Sequence, residues 1–164
     1  MKLTRALHYW LIVAASALWL ALVFVAPYAR AESWPLAPYL YAFFHPVCHQ
    51  IPERSVHCFG QPLAVCHRCL GLYAGFLLGL LVLPYLHRLR QRLLETPRAI
   101  LLFFVPMLLD VLIVENTSMT RLLTGLVAAF PVGLLVWAAA EQIVHPRPGT
   151  KTHQGEIHEP SRAR

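Results

Sequence analysis

The chain has 164 residues, of which 57% are hydrophobic and only 13% charged, a composition that excludes an ordinary soluble domain. Its formal charge of +6 raises the question of nucleic acid. The basic residues answer it: they sit in short segments flanking apolar runs, as topology signals do, and none is interleaved with aromatics as in a single-strand binder.

Four apolar runs are long enough, or nearly so, to cross a bilayer. The first extends from Ala6 to Pro27, behind Lys2 and Arg5. Ala29-Arg30-Ala31 resembles a signal-peptidase site, but the run exceeds a usual signal core, so an uncleaved anchor helix is expected. The segment from Trp34 to Pro46 is too short to span and rich in Trp, Tyr and Phe, which suits either an interfacial segment or a buried aromatic loop. The second run is Leu70 to Leu86. The third, Ala99 to Val114, is interrupted by Pro106 and Asp110. The fourth, Leu122 to Ala140, contains Pro131; prolines are tolerated in membrane helices because neighbours re-satisfy the freed carbonyls. The polar stretch 145–164 reads as a disordered cytoplasmic tail. The predicted fold is therefore an all-α membrane protein. It is a four-transmembrane-helix bundle over residues 1–144, with an extracytoplasmic Cys/His-rich loop at about 30–68 between the first two helices.

Lys and Arg orient it. Lys2, Arg5, Arg88, Arg90, Arg92, Arg98, Arg147, Lys151, Arg162 and Arg164 fall on one side of a four-span chain. Arg30, Arg54, Arg68 and Arg121 fall on the other. The positive-inside rule makes the first side cytoplasmic, with both termini, and the protein a multi-pass resident of the inner (plasma) membrane whose partner is the lipid bilayer. Two small-residue stripes, Gly71/Gly75/Gly79 and Gly125/Ala129/Gly133, recur every four residues and predict that spans two and four pack face to face.

The chemistry is concentrated between His45 and Cys69. All four cysteines lie there (Cys48, Cys58, Cys66, Cys69), with His45, His49, His57 and His67. Cys66-His67-Arg68-Cys69 is a C-x-x-C at the mouth of span two, a spacing that lets both sulfurs reach one metal ion or each other. Cys48 and Cys58 can complete a set of four, with His49 or His67 in place of one thiolate; zinc fits such nitrogen and sulfur donors. A redox reading competes: a C-x-x-C at a helix N-terminus beside Arg68 has a lowered thiol pKa, and Cys48 and Cys58 can act as an exchanging pair. In outline this is similar to the quinone-linked disulfide-forming membrane proteins and the vitamin K epoxide reductases, which implies quinone as the alternative cofactor. Two structural disulfides are the plain reading. Asp110, in span three, is an intramembrane carboxylate expected to approach the C-x-x-C mouth with Arg68 or Arg121 as partner. A third reading has Arg54, Arg68 and Arg121 clamp a lipid phosphate. Arg54, Arg68, Asp110 and Arg121 are thus the candidates for any catalytic role.

Cys48-His49-Gln50-Ile51-Pro52-Glu53-Arg54-Ser55, followed by Cys66-His67-Arg68-Cys69-Leu70-Gly71-Leu72-Tyr73-Ala74-Gly75, resembles a family of small bacterial membrane proteins, domain of unknown function 2085. Its pattern is roughly CHxxPERS, then CxRCxGxYxG, with a later Asp and Arg-x-x-Thr-Gly matching Asp110 and Arg121-Leu122-Leu123-Thr124-Gly125. The resemblance runs from about Phe44 to Gly133. It implies an integral membrane protein and supplies no activity. Cys58 lies outside the pattern, so the resemblance favours Cys48, Cys66 and Cys69 with His49 as the minimal metal set, and leaves Cys58 and His67 as possible additions.

Overall fold

The computed structural model describes residues 2–82, 85–112 and 117–144. Glu115, Asn116 and the expected tail at 145–164 lie outside them. The described chain is mostly helical: α1 (Lys2–Ala31), α2 (Ala37–Phe44), α3 (His67–Val82), α4 (His87–Glu95), α5 (Val105–Leu112) and α6 (Ser118–Val144). Two helical stretches, Ala6–Ala31 and Ser118–Ala140, are long and apolar enough to cross a membrane, and His67–Val82 is a shorter apolar helix.

The loop expected between the first two spans is not irregular. α1 closes in a Schellman-type turn, with Trp34 N–H donating to Ala29 O at 2.8 Å and Ser33 N–H to Arg30 O at 3.2 Å. Ser33 takes the left-handed position (φ 55°) that glycine usually fills. The turn launches α2, whose Leu40 and Phe44 face inward while Tyr39 and Phe43 remain exposed. A 3-10 turn over Pro52–Arg54 then leads into an antiparallel hairpin, β1 (Ser55–Cys58) and β2 (Gln61–Cys66). Both residues of its Phe59-Gly60 tip have positive φ (55° and 72°), the backbone that matches the right-handed twist of paired strands. Ser55 is buried opposite Cys66 and donates from Oγ to Ile51 O at 2.9 Å. The Pro-Glu-Arg-Ser run is thus a self-bonded turn that sets the register of the hairpin.

The expected third span is also different in kind. Pro97–Phe104 is 3-10 helix and only Val105–Leu112 is α-helix. Pro106 has no N–H for Leu102 O, and its ring crowds that carbonyl, so the preceding turn tightens and Val105 N–H donates to Leu102 O instead.

α3 and α6 form the closest helix pair, through the two stripes. A Cβ built on Gly71, Gly75 or Gly79 would overlap the carbonyl oxygens of Leu122, Leu126 and Phe130; one on Gly125 or Gly133 would lie 2.5 or 2.6 Å from Arg68 O or Phe76 O. Only glycine allows this backbone approach. α1 crosses the other side of α3: Tyr9 donates from its hydroxyl to Leu80 O at 2.7 Å, and its ring meets Trp137 of α6 edge-on at 5.0 Å. The start of α1, the end of α3 and the later part of α6 therefore share one end of the molecule, and the hairpin and cysteines occupy the other.

Candidate metal centre

Three elements converge on one point. Cys48 follows α2 and is buried (5% exposed); Cys66 ends β2; Cys69 lies in the first turn of α3. Their sulfur atoms all lie within 4.8 Å of one another, and all four cysteines are unbridged. The hairpin is held over this point by α2, because Tyr41 donates from its hydroxyl to Pro62 O, while Gln50 Nε2 donates back to Tyr41 O at 2.7 Å.

The surroundings prepare Cys66 for negative charge. Cys66 N–H donates to Cys48 Sγ at 3.2 Å, which ties the end of β2 to the residue after α2. The Cys66 thiol is pulled down from 9.0 to about 2, first by its hydrogen bond with Cys48 and then by that with Cys69. The free N–H groups and dipole at the start of α3 act in the same direction. Beneath the sulfurs lies an aromatic floor: the Trp19 ring centroid is 5.3 Å from that of Phe44 and 5.8 Å from that of Tyr73, one helical turn beyond Cys69. Beside Cys48 a cavity of about 400 Å³ is lined by His45, Pro46, Val47, Cys48 and His49.

The other expected ligands are placed differently. His49 is exposed on the rim of that cavity, and among the described residues it does not join the three-sulfur group; the chain turns Cys48 inward and its neighbour outward. His67 donates from Nδ1 to Arg54 O at 2.6 Å, so one of its ring nitrogens is already engaged. Cys58 is half-buried near the hairpin tip, paired with Gln61, too far along β1 to join the trio.

Of the polar candidates, Arg68 and Asp110 meet. Arg68 Nη2 donates to Asp110 Oδ2 at 2.6 Å, with the carboxylate only 4% exposed, and the Arg121 charge acts on the same carboxylate. Asp110 therefore reaches the C-x-x-C mouth, through the residue between its two cysteines. Arg54 is exposed. What sequence reasoning missed is the hairpin that carries Cys66 to Cys48, whose Phe59-Gly60 tip lacks the usual Asn-Gly or Asp-Gly signal.

Residues 48–135 match the family model described as "Predicted membrane protein (DUF2085)", a match that begins at Cys48 and includes all three clustered cysteines, Asp110 and Arg121. The uncharacterized protein MJ1492 of Methanocaldococcus jannaschii is 33% identical over 136 residues, which cover 76% of this chain and 87% of that protein. That relative is archaeal, so the likeness is not confined to bacteria. No solved structure matches the chain.

Proposed function

The chain belongs to the DUF2085 family of predicted membrane proteins, and from that premise we propose that it crosses the bilayer four times and holds a metal ion such as zinc at Cys48, Cys66 and Cys69 on the outer face. Two aromatic belts support the crossing. Tyr9 and Tyr28 are 19 residues apart on α1, which at ~1.5 Å per residue is about 28 Å, close to the ~30 Å of a hydrocarbon core. Trp137 lies the same 19 residues beyond Ser118 on α6 and meets Tyr9 edge-on. Trp and Tyr prefer such interfacial levels. The cysteines lie at the Tyr28 end; Lys2, Arg5 and the arginines of 88–98 are at the opposite end, which the positive-inside rule makes cytoplasmic.

One observation carries the metal reading: three unbridged sulfurs from three separate elements lie within 4.8 Å of one another. Zinc in a tetrahedron holds thiolates at about 2.3 Å each, which suits this triangle. With three protein ligands the fourth position is left for water or an incoming group, the pattern of reactive rather than closed structural sites. The cavity beside Cys48 gives that position room, with His45 and His49 among its lining residues. Metal analysis of the purified protein tests this: one ion per chain is expected, lost in Cys69→Ser. A metal-free wild type with reactive thiols contradicts it.

A second reading keeps one specific support. An apolar cavity of about 330 Å³ lies between α1 and α3, lined by Ala15, Ser16, Trp19, Tyr73 and Phe76, and gives a quinone room near Cys69 if Cys66 and Cys69 cycle through a disulfide. The lipid-phosphate reading is weaker, because Arg68 is already committed to Asp110.

A further inference from the structure

Far from the cysteines, α4 carries a concentration of positive charge that the metal centre does not use. Arg88 and Arg92 on the helix and Arg98 just beyond it are exposed, against one exposed acid, Glu95. The helix is fixed in place from its other side. Leu93 is buried with Ile100 and with Leu134 of α6, and Leu89 packs on the same cluster. The arginine edge is therefore presented by an anchored helix.

Next to Arg88 lies a cavity of about 540 Å³, lined by Tyr85, Leu86, Arg88 and Leu89. Tyr85 is 79% exposed and Leu86 also faces outward. Among the described residues the walls are apolar, with Arg88 as the cation among them. The contact of Tyr9 with Leu80 O places the end of α3 at the inner aromatic belt, which is the depth of lipid headgroups. A cavity with apolar walls of this size does not match a bare phosphate ion. It matches a headgroup whose phosphate meets an arginine while its glycerol and upper acyl chain lie on apolar side chains.

We propose that Tyr85, Leu86, Arg88 and Leu89 form a site for one anionic phospholipid of the inner leaflet, its phosphate paired with Arg88 and its apolar part on Tyr85, Leu86 and Leu89. Arg92 and Arg98 add long-range attraction without touching the cavity. The site rests on the membrane placement proposed above and not on the metal. Were the orientation reversed, it would lie in the other leaflet with the same selectivity.

Native mass spectrometry of the detergent-solubilised full-length protein tests this, with phosphatidylglycerol, phosphatidylcholine and inorganic phosphate as separate probes. One phosphatidylglycerol is expected to be retained in preference to phosphatidylcholine, with inorganic phosphate unable to displace it. Arg88→Gln should weaken that retention by about fivefold, the effect of one basic charge at a membrane surface. Arg88→Lys should restore most of it, and Lys151→Gln, a charge change far along the sequence, should leave it unchanged. Equal retention of the two lipids, displacement by phosphate, or an Arg88→Gln protein that elutes and melts normally yet binds as before would each overturn the proposal.

Discussion

Arg68 Nη2 and Asp110 Oδ2 are 2.6 Å apart, and this pair ties the mouth of the cysteine motif to α5. Arg68 stands between Cys66 and Cys69, so whatever positions its backbone positions both sulfurs. Asp110 sits on an otherwise apolar helix, where a charge without a partner is costly.

Truncating one partner of a buried pair leaves the other charge uncompensated, at about 3–5 kcal/mol. Arg68 retains 27% side-chain exposure, so Asp110→Ala should cost about 3 kcal/mol, at the low end of that range. The double variant Arg68→Met/Asp110→Leu should cost clearly less than the two single changes together. Thermal unfolding in detergent measures both. Additive costs would show that the pair does not act as a unit.

The stripe on α3 makes a sharper prediction. A Cβ on Gly75 meets the backbone of Leu126, which no rotamer change can relieve. Gly75→Ala should therefore destabilise by about 1–3 kcal/mol, and Gly75→Leu by at least as much, because α3 and α6 must separate. Gly60→Ala serves as comparison: nothing lies near its added methyl, and only the positive φ opposes it. Equal effects at Gly60 and Gly75 would contradict the close pairing of the helices.

The helix pairing was legible in the sequence because a four-residue recurrence of glycine has few other uses in an apolar run. Cys48, Cys66 and Cys69 were legible from residue type, and Asp110 from its isolation among apolar neighbours. The hairpin was not, because Phe59 at a positive-φ tip position departs from the Asn-Gly or Asp-Gly that usually announces one. Adjacency to Cys48 makes His49 a ligand candidate, and its side chain is exposed on the rim of the neighbouring cavity. The 3-10 character of Pro97–Phe104 depended on a proline lying beyond it, a constraint that hydropathy does not carry.

Topology can be checked with reporter fusions. A fusion at Gln61, in the hairpin, should report the outer side, and one at Gln91, on α4, the cytoplasm. A cytoplasmic signal at Gln61 would reverse the orientation and remove the cysteines from the outer face.

The thiols set a pH dependence. Cys66 is depressed from 9.0 to about 2, so its contribution to folding is complete above the unfolded thiol's range and is lost as pH falls toward about 2. Metal-free protein should accordingly become more stable as pH rises through neutrality toward about 9. Thiolate ligation of zinc releases protons, so affinity should rise with pH, less steeply than three ordinary thiols would give because Cys66 is held down. Competition titrations with a chromophoric chelator measure the slope; a value near three would mean that Cys66 is protonated before the ion arrives.

The most direct measurement is X-ray absorption at the zinc edge of the protein as purified. Three sulfur neighbours at about 2.3 Å and one lighter neighbour at about 2.0–2.1 Å are expected, with one sulfur lost in Cys48→Ser. A shell of oxygen and nitrogen alone, or a protein without zinc whose Cys66 and Cys69 are joined in a disulfide, would contradict a three-cysteine metal centre.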